Sequence, residues 1–431
     1  MAALYHRRMK STRLLVVSLL FAGAVSAGAA GTPVQAPPLP VIPRATFDIT
    51  RYGAVGDGQT LATAAIQKSI DAAAAAGGGT VRVPAGKFLT APFTLASHIN
   101  LHLERGAVIL VSDDLARYPV VNNRYQDSIT VSDAQDVEIS GPGVIDGQGA
   151  AWWSAFRANP AMTHRPYLIK ISNCTRVLVA DVTLRNSPMF HLVPQNCTDV
   201  TIRGIHIYAP ANAPNTDGID PSGWNFLIRD CAIDTGDDNI AIKPVAARVP
   251  GNKNFLIQDC NFLHGHGCSI GSGTAGGIED LTVTHCTFDQ TDSGIRIKTA
   301  RDRGGLLQNV TYENLTMKAV KNPIYIIDFY PERTAPKDPA TEKPESVTAR
   351  TPINKNIMIR NVTATDCPTA GTIRGLPELP IEGVTLANVR ISAKIGLKIY
   401  HARAVRFEKS KITVQEGKPL ITYDAEVTGL K

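Results

Sequence analysis

Two adjacent carboxylates, Asp237 and Asp238, stand in the stretch TGDDNIAIKP (235–244), between a glycine and a strand-like apolar run. In a regular strand neighbouring side chains point to opposite faces, so one of the two acids would face inward, which is costly unless it is paired. The pair is therefore either an exposed turn or a working site. Three further polar motifs bear on the choice: NTDG at 215–218, GHG at 265–267 and RIK at 296–298. Taken singly each is ordinary. NTDG is a good turn sequence, GHG a tight bend, and the alternation R-I-K a solvated strand face. Their spacing is less ordinary, with 20 residues from Asp217 to Asp237, 29 to His266 and 30 more to Arg296.

Three acids, a histidine, an arginine and a lysine on one strip fit glycoside hydrolysis of an acidic sugar. That reaction needs one protonated carboxyl for the leaving oxygen and a second carboxylate to activate water or attack the anomeric carbon. Clustered acids are expected to raise each other's pKa and so supply the protonated member. Arg296 and Lys298, two residues apart on one face, would receive a substrate carboxylate, the arginine by paired hydrogen bonds and the lysine as a point charge. Gly236 is expected to break strand alternation so that both Asp237 and Asp238 reach the cleft.

What positions these residues is a repeat. A pair of apolar residues, or apolar then Cys, separated by two positions, recurs at Val179/Val182, Ile202/Ile205, Ile228/Cys231, Ile257/Cys260, Val283/Cys286, Tyr312/Leu315, Ile359/Val362 and Leu386/Val389. Successive steps are 23, 26, 29, 26, 29, 47 and 27 residues. A period of this length with several short strands and little helix predicts an all-β, single-stranded right-handed parallel β-helix, whose coils stack at about 4.8 Å. Asp237 and His266 lie six residues after Cys231 and Cys260, so His266 is expected one coil above Asp237, and Arg296 two. One helix is predicted over 62–76, ending at Gly77-Gly78-Gly79 and capping the N-terminal end of the solenoid. The long step holds an insertion, 331–352, rich in Pro and charge, expected as a surface loop.

Residues 1–30 carry Arg7, Arg8, Lys10 and Arg13 ahead of an apolar run ending in small residues, the pattern of a secretory signal peptide cut near Ala27–Ala30. A Pro-rich tether (31–45) follows, then a single β-helix domain over 46–431. Removing the signal lowers the net charge from +6 to about +2, so global charge gives no case for a nucleic-acid partner, and any attraction for an anionic one must come from a local cluster. No later run is long and apolar enough to span a bilayer. The reading is therefore a secreted or periplasmic monomer with no membrane or nucleic-acid partner. Seven cysteines cannot all pair within the chain. The repetition of Cys231, Cys260 and Cys286 suggests a buried stack of mostly free thiols, although export leaves disulfides open.

At NTD, DD, GHG and RIK the sequence resembles glycoside hydrolase family 28, the polygalacturonases and related pectin hydrolases. The motifs stand in that family's order, and YGAVGDG (52–58), GGGTVRVPAGKFLT (77–90) and GPGVIDGQG (141–149) match its usual entry. The resemblance implies an inverting mechanism without a metal or cofactor. Asp237 corresponds to the general acid, and Asp217 and Asp238 to the carboxylates that position and deprotonate water. His266 corresponds to a histidine that influences the acid's protonation or binds substrate. Arg296 and Lys298 match the carboxylate-binding pair and Asn215 a substrate hydrogen-bonding residue. Tyr330 sits where the family has a substrate-contacting tyrosine, with Tyr325 a nearby competitor. Asn239 stands where some members carry a cysteine, so a disulfide bracing the site from there is absent.

The activity implied is hydrolysis of α-1,4-galacturonan in pectin, endo or exo. The alternatives are a rhamnogalacturonan or xylogalacturonan hydrolase, a calcium-dependent pectate lyase on the same fold, and a non-catalytic glycan-binding β-helix. The linked GHG and RIK motifs weigh against the lyase.

Overall fold

The computed structural model of the protein describes residues 36–122, 124–162, 164–244 and 251–430. The predicted signal peptide and the first residues of the tether lie outside them. Residues 36–43 form neither strand nor helix.

The first member of every repeat pair falls into register. Val179, Ile202, Ile228, Ile257, Val283, Tyr312, Ile359 and Leu386 are successive partners in one parallel ladder. The ladder runs back through Ile139, Leu101 and Val81 to Phe47 and forward to Phe407. The principal sheet has 29 strands, and the chain is a right-handed parallel β-helix. Like side chains stack on consecutive coils, as Phe226 does on Phe255 and Phe262 on Phe288, each pair with ring centroids 4.8 Å apart.

The two-residue gap in the repeat has a backbone cause. Its second residue is Asp181, Gly204, Asp230, Asp259, His285, Asn314, Asn361 or Asn388, and all eight have φ between 52° and 63°. This left-handed bend turns the chain from one strand to the next, and Asn and Asp tolerate it better than other side-chain-bearing residues. Their amides also stack: Asn388 donates to Asn361 at 3.0 Å and Asn361 to Asn314 at 3.0 Å. The residue that follows turns inward, which places Cys231, Cys260 and Cys286 in the core. All seven cysteines are buried and free.

Helix α1 spans Thr63–Ala75 and buries Ile66, Ile70 and Ala73 at the N-terminal coils. A second helix, α2 (Ala150–Ala158), stands where the sequence reads as strands and turns. Its AAWWSAFRA run has no long apolar period, and it is held by tertiary contacts. Trp152 is fully buried, edge-on to Tyr118 and Tyr125 at 4.9 and 4.8 Å. The late strands are long rather than short, reaching 17 residues at Ile353–Thr369, because the bend is absorbed without breaking the ladder.

Candidate active site

The strip is built on the outward face of four parallel strands: Ile240–Ile242, Cys268–Gly271, Ser293–Lys298 and Asn322–Ile327. Alternation puts Ile295 and Ile297 in the core and sends Arg296 and Lys298 outward together. Asp237 and Asp238 precede the first strand, in an irregular bend. Gly236 has no left-handed φ there; a Cβ on it would meet the Ala213 carbonyl at 2.3 Å. The glycine is therefore required by close approach of the preceding coil, which corrects the expectation that it serves to break strand alternation. Gly265, at φ +115°, lets the next coil settle with a Cβ-equivalent position 2.5 Å from the Asp237 carbonyl, and the His266 amide donates to that oxygen at 2.9 Å.

Asp217, Asp237, Asp238, His266, Arg296 and Lys298 come together as the spacing predicts. Arg296 is level with Ser269 and, one coil further back, Ala241, so its side chain reaches back towards the acids. Asp238 is 1% exposed, yet it is not turned into the apolar core. Its Oδ1 accepts from Arg296 Nη1 at 2.5 Å and Ser269 Oγ at 2.9 Å, and its Oδ2 from Lys298 Nζ at 2.7 Å. The two cations expected for a substrate carboxylate are therefore held by an internal one. Asp237 is the more open acid. Its Oδ1 lies 3.0 Å from His266 Nδ1, its Oδ2 accepts from Asn215 Nδ2 at 3.3 Å, and its side chain is 22% exposed. Tyr330 and Tyr325 both line the strip: Lys298 Nζ is 5.2 Å from the Tyr330 ring centroid, and the Arg296 guanidinium 5.8 Å from that of Tyr325. Tyr325 also donates to Glu332 at 2.9 Å.

Four supporting residues escaped the sequence reading. Lys243 Nζ lies 2.7 Å from Asp217 and 2.5 Å from Asp220, 3.8 Å over the Phe190 ring. Lys243 sits inside the quoted stretch 235–244 and Asp220 two residues after NTDG, both at outward positions, and that phase was the available signal. Arg165 donates to Asn215 Oδ1 at 2.7 Å and packs 4.2 Å over Phe156 of α2; no local pattern marks it. His191 is fully buried, 3.0 Å from the Asp217 carbonyl, and burial pushes its pKa down to about 4.

The acids do not titrate alike. Desolvation drives Asp217 well above the carboxylate range against the pull of Lys243, and holds Asp220 at about 6. Asp237 and Asp238 lie below the usual range: burial opposes their ionisation, but His266 Nδ1 stands 3.0 Å from Asp237 and 3.6 Å from Asp238, and Lys298 and Arg296 outweigh the remaining cost at Asp238. That corrects the expectation that clustering alone raises every member. His266 is pushed up to about 9, because the close contact with Asp237 and the negative charge of both Asp237 and Asp238 exceed its desolvation. Asp237, Asp238 and His266 bring donor atoms within 4.8 Å of one another. Both oxygens of Asp238 are already committed and the imidazole is held protonated, so this donor set does not fit a cation.

A family model described as glycosyl hydrolases family 28 matches residues 76–410. Another, rhamnogalacturonase A/epimerase, pectate lyase-like, matches residues 46–102. A probable polygalacturonase of Vitis vinifera is 34% identical over 367 residues, covering 79% of this chain and 73% of its own. An exopolygalacturonase structure from Thermotoga maritima superposes with a TM-score of 0.70 at 25% identity, over 87% of this chain and 94% of that one. The polygalacturonase of Erwinia carotovora ssp. carotovora gives 0.66 at 28% identity, over 91% and 99%. The matched span runs from before Asn215 to beyond Tyr330 and takes in the whole strip, and the chain belongs to family 28 of the glycosyl hydrolases and is a glycoside hydrolase.

Proposed function

We propose that this chain is an exported polygalacturonase that hydrolyses α-1,4-galacturonosyl linkages of pectin with inversion. The observation that carries the reading is the strip itself, where Arg296 and Lys298 share a face with Asp217, Asp237 and Asp238. A neutral-sugar hydrolase has less use for two cations there, and a galacturonate carboxylate can displace Asp238 from them.

Asp237 is the general acid. A proton donor must reach the glycosidic oxygen, and Asp237 is the most exposed of the three, at 22% against 3% for Asp217 and 2% for Asp238. The His266 imidazolium, 3.0 Å away, holds the proton that Asp237 passes to the leaving oxygen. Asp217 and Asp238 hold water on the opposite side. Asp217 Oδ1 is buried without a protein partner among the described residues, which suits it to orient water and take its proton as the anomeric carbon is attacked. Asn215, held by Arg165, and the two tyrosines contact the sugar. A second reading exchanges the two roles, since Asp217 is the carboxyl whose pKa is raised.

Export is read from residues 1–30, and sequencing the N-terminus of protein recovered outside the cytoplasm tests it. The activity is tested on polygalacturonate with calcium chelated. Reducing ends should appear without unsaturated, ultraviolet-absorbing products, and proton NMR should show the β-anomer first. Unsaturated products that require calcium would overturn the reading, and a time course of product sizes separates endo from exo action.

A further inference from the structure

The outward rows of the site continue past the catalytic strip. Arg296 is level with Tyr325, Thr372 and Lys398 on successive coils, and Lys298 with Ile327, Arg374 and Tyr400. Beside these rows the 331–352 insertion is anchored as a wall. Arg374, 5% exposed, donates to the Pro336 carbonyl at 2.6 Å and pairs with Glu342. The Glu342 side chain is 1% exposed and lies 3.0 Å from His401 Nε2. Further along the insertion, Arg301 reaches the Lys343 carbonyl and Glu345, each at 3.3 Å.

Between wall and rows lies a pocket of about 580 Å³, whose lining includes Glu332, Lys337, Thr372, Arg374, Lys398 and Tyr400. Three of these are cations. The one lining carboxylate, Glu332, accepts from Tyr325, and Arg374 Nε is buried without a hydrogen-bond partner among the described residues. Lys337 and Lys398 make no ion pair or side-chain hydrogen bond with another described residue. A cationic pocket on the same rows as the reacting strip suits a second acidic unit of the same polymer.

We propose that this pocket is a second carboxylate subsite. It holds a galacturonate unit of the substrate chain two to three coils beyond Arg296, roughly 10–15 Å away at the coil spacing. Lys337 and Lys398 take the carboxylate, and the Tyr400 ring offers an apolar face to the pyranose. The proposal rests on the polygalacturonase reading and adds to it a binding role for the insertion.

The test measures kcat/KM on purified oligogalacturonides from the shortest hydrolysed oligomer upward, for wild type, Lys337→Ala/Lys398→Ala and Lys337→Arg/Lys398→Arg. Wild-type kcat/KM should rise with length. The double alanine variant should flatten that rise, losing about tenfold on the longest oligomer, or about 1.4 kcal/mol, with the shortest unchanged. The double arginine variant should keep the rise. A wild type without length dependence, or an alanine variant that keeps the full rise or loses equally on every length, overturns the subsite alone. Failure of the wild type to hydrolyse any oligogalacturonide overturns the polygalacturonase reading and the subsite with it.

Discussion

Two pairs of carboxylates face the same cleft and behave in opposite ways. Asp237 and Asp238 meet His266, Arg296 and Lys298, and both lie below the usual carboxylate range. Asp217 and Asp220 share one cation, Lys243, are more than 95% buried, and both lie above it. Proximity of like charges is common to both pairs, so it does not decide the direction. The balance between desolvation and the number of cations within reach does.

The largest expected effect comes from removing the exposed acid. Asp237→Asn should lower kcat on polygalacturonate about 10²–10⁴-fold, with an unchanged circular dichroism spectrum. Next comes the buried pairing: Lys298→Met leaves Asp238 in a nearly dry site with Arg296 and the His266 imidazolium and should cost about 1.5–3 kcal/mol in urea unfolding, the worth of a hydrogen bond to a charged group. If stability holds while activity falls, Asp238 does not depend on Lys298 as described. Lys243→Met probes the other pair. A cation favours ionised carboxylates, so its loss should raise both pKa values, and the acidic limb of kcat/KM that Asp217 sets as the base should move to higher pH.

Stability should follow pH with a definite sign. The His266 value lies above its ordinary one, so the ion pair contributes fully below about 6.5 and is lost as pH rises through about 9. His266→Asn should flatten that decline in unfolding free energy measured between those limits. The smallest effect belongs far from either pair. Asn361→Ala removes two 3.0 Å amide bonds on the opposite ladder and should cost about 1 kcal/mol with no change in kcat.

The solenoid was legible because its period is written in residues that have little choice. An inward apolar residue, a left-handed bend that falls on Asn or Asp at six of eight positions, and a second inward residue that is apolar or Cys recur along the ladder, and the site motifs inherit that spacing. Helix α2 was not legible, since what holds it is the fit of Trp152 between Tyr118 and Tyr125, which no local pattern announces. Arg165 was hidden for a similar reason: it lies 50 residues before Asn215 in sequence. Lys243 was in view but unread, because a lone lysine after an apolar run looks like a strand end. Its meaning depends on Asp217 and Asp220 arriving from the previous coil. The insertion looked like a loose surface loop by composition, whereas Glu342 anchors it through Arg374 and His401.

In the proposed mechanism the exposed member of the cation-rich pair donates the proton although its pKa is lowered, while Asp217, with its raised pKa, acts on water. A leaving group that needs no protonation separates the roles. Asp237→Asn and Asp217→Asn should be compared on polygalacturonate and on an aryl galacturonide with a nitrophenolate leaving group. The account predicts that Asp237→Asn recovers to within about tenfold of wild type on the aryl substrate while Asp217→Asn stays inactive on both, the general acid's share being about 10²–10⁴-fold. Recovery of Asp217→Asn with no recovery of Asp237→Asn would contradict it and exchange the two roles.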